Sequence, residues 1–585
     1  MQRQSTWKAW IFSAVFITLC LAFIWFSMPP RYYLNDDVTI MRSFMGYEGG
    51  SIASFSINIH TVLSWLLFAL GSLFAGVPWF SVLQLFFIWL SLVVIGKSFL
   101  QLSHCRFRFL GVLLGLACVC VVMLDNMINI TYSCTAAICG SAAIAQLFSV
   151  DFGDQRHVTL PLIGSAALMF CGYFFREVTF VPIVSFWLLT FFIKLQVSFG
   201  AGKRAWREAR RFFLLLMSTC VFFILLLGIR AVDIKAEDAG DYSRWHAERT
   251  KLFDYTDFIH AYDSIDLHDV GWNDSLKTMV ASWYFLDDRI TSEAFEVAYN
   301  KVTAKKDTSI QSMLLNGWST LKSMIWDQPR WRAAFLTMCS LAIATLAIAA
   351  IHYRKNKGWF AAVPLAFAGS GLLLLYPATQ GRLLERVVFV VMVLLMVWIA
   401  SAFFTLYIPR TQFATSDIRN RWLVRSLAGV CVLSLCSTLL WCWQGFRASA
   451  YAPTFPLSLE REEDEVYIDL DEYGYLYDDK LIIYDYSLAF NTMIFPETEP
   501  GIPENLLFWG GWQTHAPSWN RMLEQFGITE LSPLIFTQDN VLFATRNDVM
   551  LLKLYAYLEE NIDGQVSFEY YDQYGDIYFY TFSVD

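Results

Sequence analysis

Asn35-Asp36-Asp37 sets two adjacent carboxylates directly behind the first apolar run and its Pro29-Pro30 break. A carboxylate pair at a membrane–water boundary carries a solvation cost, which calls for a partner or a task. On a helix starting here, Asp36 shares a face with Thr39 and Ser43, while Asp37 turns about 100° away toward Ile40, Met41 and Phe44. Two different environments allow one carboxylate to accept a proton while the other orients a substrate. Helix-start chemistry competes with that reading, because Asn35 suits an N-cap and acids in the first turn favour the macrodipole. Two arginine groups also stand at the ends of apolar runs. Arg176-Glu177 lies between two runs with almost no loop, and Arg382, Glu385 and Arg386 follow Tyr376-Pro377. Each could be an ion pair holding helix ends, a cation snorkelling to lipid phosphates, or part of a site. His60 opens an apolar run, where a lone histidine is more often structural than part of a pocket.

Other candidates carry less. Asp287-Asp288 reads as a solvated helix end, and Asp469, Asp471, Asp478 and Asp479 lack calcium-loop spacing and read as acidic surface. The chain has neither a Gly-rich phosphate loop nor a nucleophile elbow.

These residues must be positioned by membrane helices. Of 585 residues, 56% are apolar and only 16% charged, with a mean hydropathy of +0.43. A globular surface would need about 25% charge. Aromatics, at 17%, suit lipid-facing helices with interfacial Trp and Tyr belts. All 12 cysteines lie in or beside apolar runs without Cys/His ligand spacing. That argues against disulfides in the polar regions and against a cysteine metal site.

Apolar runs near 9–28, 79–96, 109–125, 131–149, 159–175, 178–195, 212–231, 333–351, 359–376, 387–407 and 426–444 are each of spanning length. Residues 60–75 are apolar as well. Counted as a span, they would leave Lys97, Arg106 and Arg108 outside. Laid along the outer interface, they make every short basic loop cytoplasmic, as the positive-inside rule asks. The expectation is about eleven transmembrane helices in the plasma membrane, with Arg3 and Lys8 marking a cytoplasmic N-terminus. The basic clusters then serve topology, and no nucleic acid is indicated.

The expected fold class is an α-helical polytopic membrane protein with a C-terminal extracytoplasmic α+β domain. Residues 1–446 form the transmembrane part, with a first outer loop at 29–78 and a large polar outer loop at 232–331. Residues 447–585 hold 25 acidic side chains against 6 basic ones. Alternation over Glu465–Leu470 and Ile577–Phe582 predicts strands, and Leu551–Glu559 predicts a helix.

An acidic pair after the first span, a helix to Met45, a second interfacial helix opened by Asn58-Ile59-His60, and then the second span resembles the GT-C class of membrane glycosyltransferases. That class includes bacterial aminoarabinose and arabinofuranosyl transferases and the protein O-mannosyltransferases. The resemblance covers roughly residues 9–230 in arrangement. It implies hexosyl or pentosyl transfer from a polyprenyl-phosphate-linked sugar to a cell-surface glycan or lipid-linked acceptor at the outer face. The acceptor hydroxyl attacks the anomeric carbon while an aspartate removes its proton. Asp36 is the expected base, with Asp37 assisting. The leaving phosphate needs cations, for which Arg382, Arg386 and Arg176, with Glu177 and His60, are the expected substrate-binding residues. Some class members use a divalent cation beside the acidic motif, and Asp36 and Asp37 are the candidates for it here. One rival is a polymerase or ligase of lipid-linked oligosaccharides, which would depend on outer arginines and not on Asp36. A flippase or transporter would bury charges mid-span, whereas these cluster at span ends.

Overall fold

The computed structural model describes residues 6–47, 51–102, 122–150, 159–199, 204–304, 309–351, 357–406 and 505–585, together with 115, 119, 476–485, 487–488 and 494–495. Helices dominate it. In the first half they are α1 (Thr6–Ser27), α2 (Asn35–Met45), α3 (Thr61–Leu73), α4 (Trp79–Leu102), α5 (Tyr132–Ser149), α6 (Thr159–Phe175), α7 (Phe180–Phe199) and α8 (Arg204–Ala236). Then come α9 (Gly240–Tyr255), α10 (Asp274–Ala281), α11 (Ser292–Thr303), α12 (Ile310–Trp326), α13 (Pro329–Ile351), α14 (Trp359–Thr379) and α15 (Glu385–Leu406). Among the described residues, seven helices are long and apolar enough to cross a bilayer: α1, α4, α7, α8, α13, α14 and α15. The span expected near 426–444, and most of that near 109–125, lies outside the described residues.

Helix α5 sits at the centre of the bundle, with all its residues but Ser149 buried. Its small side chains, including Ala136, Ala137, Gly140, Ala142 and Ala143, let α4, α6 and α15 pack closely around it. Helix α3 differs. Thirteen residues rise about 20 Å, short of a hydrocarbon core of about 30 Å. It buries Leu63, Leu67 and Gly71 on one face and exposes the apolar Trp65, Leu66 and Phe68 on the other.

Two short parallel strands organise the end of the bundle where the acidic pair lies. β1 (Arg31–Tyr32) pairs with β2 (Asn129–Ile130), matching Arg31 to Asn129 and Tyr32 to Ile130. Both chains leave this bridge directly into helices, so α2 and α5 begin side by side. The residue before α2 is Leu34, in extended conformation and giving no side-chain cap. Asn35 is therefore inside the first turn and is not the N-cap expected from its type. Lys97, expected in an inner loop, is instead buried within α4, where its Nζ donates to Gln146 Oε1 at 2.7 Å.

Above this end lies a cap layer built from two distant parts of the chain. The C-terminal part is a five-stranded sheet in the order β4-β3-β5-β7-β6, comprising β3 (Leu481–Tyr484), β4 (Leu506–Phe508), β5 (Val541–Thr545), β6 (Val566–Tyr574) and β7 (Ile577–Val584). β3 runs parallel to β4 and β5, while β7 is antiparallel to β5 and β6. Helices α16 (Pro517–Gln525) and α17 (Asp548–Asn561) accompany it. Alternate residues of the buried strands serve opposite faces. Leu481, Ile483, Val541 and Phe543 face a core shared with Trp245, Phe253, Trp272, Met279, Phe285 and Phe295 of the 232–331 connection. Each such aromatic contributes roughly 1.5–3 kcal/mol by burial. The seam also carries backbone bonds: Phe285 N donates to Trp509 O, and Asp288 N to Leu531 O, both at 2.9 Å. Gly510 permits this approach, because a Cβ there would stand 1.6 Å from the Trp283 carbonyl oxygen.

Asp287 is accordingly no solvated helix end. It is buried and accepts from Arg289 N, Nε and Nη2 and from the Tyr557 hydroxyl, at 2.8, 2.9, 2.7 and 2.5 Å. The expected strand Ile577–Phe582 and helix Leu551–Glu559 fall within β7 and α17, whereas Glu465–Leu470 lies outside the described residues.

Candidate functional site

Asp37 is completely buried and ties three elements together. Its Oδ1 accepts the Tyr132 backbone N–H at 2.7 Å and the Gln84 side chain at 3.1 Å. Gln84 in turn accepts from Thr135 Oγ1 at 3.1 Å. The starts of α2 and α5 are thereby fixed to α4. Burial pushes the Asp37 carboxyl well above its ordinary pKa, and Asp36 adds to the rise; Gln84, the Tyr132 amide and Arg386 pull against it.

Asp36 points elsewhere, as its position on the helix requires. Its side chain is one-third exposed, and its Oδ2 lies 3.4 Å from Arg386 Nη1. Arg386 comes from the first turn of α15, some 350 residues away in sequence. On the same helix face, Ser43 Oγ accepts from Gln513 Nε2 at 2.7 Å, which ties α2 to the cap layer.

Three further arginines surround this pair. Arg382, in the turn before α15, holds Asp254 Oδ2 at 2.6 Å and stacks on Tyr255. Arg176 donates to the Asn58 carbonyl and to Asn58 Oδ1 at 3.3 and 3.1 Å, and lies 4.9 Å over the Tyr132 ring. The third, Arg249, is buried on α9 and stacks 5.5 Å over Trp283. Burial lowers the Arg249 pKa, and the charges of Asp254 and Asp36 act against that shift. His246, one turn earlier, has its pKa pushed down to about 3 by burial and by Arg249, Arg176 and Arg382. It is a neutral imidazole among cations.

The other two expected residues form an adjoining clamp. Glu177 lies 3.4 Å from Arg230. Arg230 also donates to Thr61 Oγ1 and to the carbonyls of Ser56 and Ile57, each at 3.2 Å. Asp233 accepts from Thr61 Oγ1 and Trp65 Nε1 at 2.8 and 3.0 Å, so α8 grips the start of α3. His60 caps α3 by accepting from Val62 N at 3.2 Å, and burial with the Arg230 charge pushes its pKa to about 4. The structure thus brings together Asp36, Asp37, Arg386, Arg382 and Arg176, and places Glu177 and His60 one contact away.

Arg249, His246 and Asp254 were not singled out from the sequence. Their one signal is spacing: Tyr242, His246, Arg249, Thr250 and Phe253 recur on one face of α9 and mix polar with aromatic side chains. The acidic pair does not fit a shared metal ion. Its two carboxylates turn to different partners, the neighbour of Asp36 is a cation, and the described residues hold no group of three or more His, Cys, Asp or Glu suited to a metal. What the site offers is one accessible carboxylate beside several guanidinium groups, a combination suited to proton abstraction next to a developing anion.

Comparison of the chain with protein-family models, curated proteins and solved structures gives no match.

Proposed function

We propose that this protein is a GT-C-type membrane glycosyltransferase that moves a sugar from a polyprenyl-phosphate donor to a glycan or lipid-linked acceptor at the outer face. The observation that carries the reading is the Asp36–Arg386 pair, a one-third-exposed carboxylate beside a guanidinium, with Arg382 and Arg176 nearby and Asp37 withdrawn into the packing. The acceptor hydroxyl attacks the anomeric carbon, the glycosidic phosphate bond breaks, and Asp36 takes the hydroxyl proton. Negative charge passes to the departing phosphate, where arginine forks can bind two oxygens each. Asp37 acts through position, holding Asp36 at the mouth of the bundle.

The test is transfer in liposomes containing the purified protein and a panel of polyprenyl-phosphate hexoses and pentoses. Asp36→Asn is expected to abolish transfer while the protein still folds, with a modest fall in melting temperature because Arg386 loses its carboxylate partner. Full activity in that variant would remove Asp36 as base.

A further inference from the structure

One face of α9 presents polar atoms that no described residue satisfies. Arg249 Nε, His246 Nδ1 and Thr250 Oγ1 are buried without a hydrogen-bond partner, as is Tyr132 Oη across the site. Arg249, 6% exposed, has no carboxylate within ion-pair distance among the described residues, whereas Arg382 has Asp254 and Arg386 has Asp36. Among the described residues, the Arg176 side chain is hydrogen-bonded to the neutral Asn58 and stacked on Tyr132. These groups share one region: the Arg176 charge acts on both Tyr132 and His246, and that of Asp36 on both Tyr132 and Arg249. A buried guanidinium without a counter-ion is costly, because nothing repays the water it has lost.

We propose that Arg249, with His246 and Thr250 beside it and Arg176 opposite, forms a binding site for a phosphate or diphosphate group. Two of the four arginines are already neutralised by Asp36 and Asp254, so the remaining two suit a dianion. Arg249 supplies a fork pre-oriented on Trp283, His246 and Thr250 add hydrogen bonds, and the Tyr132 hydroxyl closes the site from the bundle side. The site joins the cap layer to the membrane helices, so an anion there bridges α9 and the starts of α5 and α7. Its place in a transfer reaction rests on the reading above; anion binding does not.

The test uses the full-length protein in detergent and no sugar. Calorimetric titration is made with inorganic pyrophosphate, with inorganic phosphate, and with mixed micelles containing phosphatidic acid or only phosphatidylcholine. Wild type is expected to bind pyrophosphate or the phosphatidic acid micelles, and which of the two tells free from lipid-borne phosphate. Arg249→Met should weaken that binding at least tenfold. Arg244→Gln, on the exposed side of α9 and paired with Glu293, should not change it. Apo Arg249→Met should melt no lower than wild type, because it loses an unpaired buried charge. Absence of binding by wild type, unchanged binding by Arg249→Met, or a lower apo melting temperature for it would each overturn the proposal. Intact binding with no sugar transfer from any donor would count against the glycosyltransferase reading alone.

Discussion

Asp37 offers the sharpest test of the division of labour at the mouth of the bundle. Replacing it with alanine strands two donors in a dry interior, the Tyr132 backbone N–H and the Gln84 carboxamide. The Tyr132 amide lies in the first turn of α5, where the cap side chain of Thr131 already serves Cys134 N. Gln84 is held at its other end by Thr135. A buried donor without an acceptor costs about 1–3 kcal/mol, so Asp37→Ala should lose about 2–5 kcal/mol. Asp37→Asn keeps an oxygen where both donors need it and matches the neutral carboxyl that burial favours, so its loss should stay within about 1 kcal/mol. Intrinsic tryptophan fluorescence during thermal unfolding in detergent, with size exclusion to score aggregation, reads the order. The expectation is Asp37→Asn close to wild type and Asp37→Ala well below both. Equal melting temperatures for Asp37→Ala and wild type would show that the carboxylate is no keystone. Equal losses in the two variants would show that its charge, not its oxygen, is needed. Transfer should persist in Asp37→Asn within tenfold, unlike Asp36→Asn.

The pH dependence of Asp37 has a definite sign. Its folded pKa lies above the ordinary 3.8, so its contribution is complete below that value and is lost as pH rises through the folded pKa; Asp37→Asn should lose less stability than wild type from about pH 4 upward. His246 acts in the opposite direction. With a folded pKa near 3 against an ordinary 6.5, its contribution is present above 6.5 and is lost as pH falls toward about 3, so His246→Gln should flatten the acid limb of the melting profile. Asp287→Ala leaves the half-buried Arg289 and the buried Tyr557 hydroxyl without their acceptor and should cost about 1–3 kcal/mol, read as accelerated proteolysis of the cap layer. A reporter fused after Leu102 should read cytoplasmic, and one fused after Ala448 extracytoplasmic; the opposite result for the second would refute the parity of the span count.

Local pattern served well where local physics decides. Helix α2, the short apolar α3, the β7 strand and α17 follow from periodicity and length, and the different facing of Asp36 and Asp37 follows from the pitch of a helix. Asn35 did not, because the extended Leu34 continues the β1 bridge and the helix begins one residue sooner than its capping type suggests. Arg249 was illegible for a different reason. In sequence it resembles Arg244 on the same helix, and only Trp283 and the sheet behind it make one buried and the other exposed. Asp287 looked solvated for the same cause, since the side chain that covers it, Tyr557, is 270 residues downstream.

The seam between the 232–331 connection and the sheet sets an order of events during synthesis. Trp245, Trp272, Phe285 and Phe295 are made long before Leu481, Ile483 and Phe543, their partners in the same core. Between residue 298 and residue 481 the ribosome must add about 180 residues, among them α13 to α15 and the apolar run near 426–444, before the core can close. At roughly 5–20 residues per second that is about 10–40 s. Through this interval half of an aromatic core stands unmatched, a client for holdase chaperones and a target for proteases. A chain interrupted anywhere between those positions would leave that half-core permanently open, so truncated products should be degraded from the cap side while their membrane helices survive.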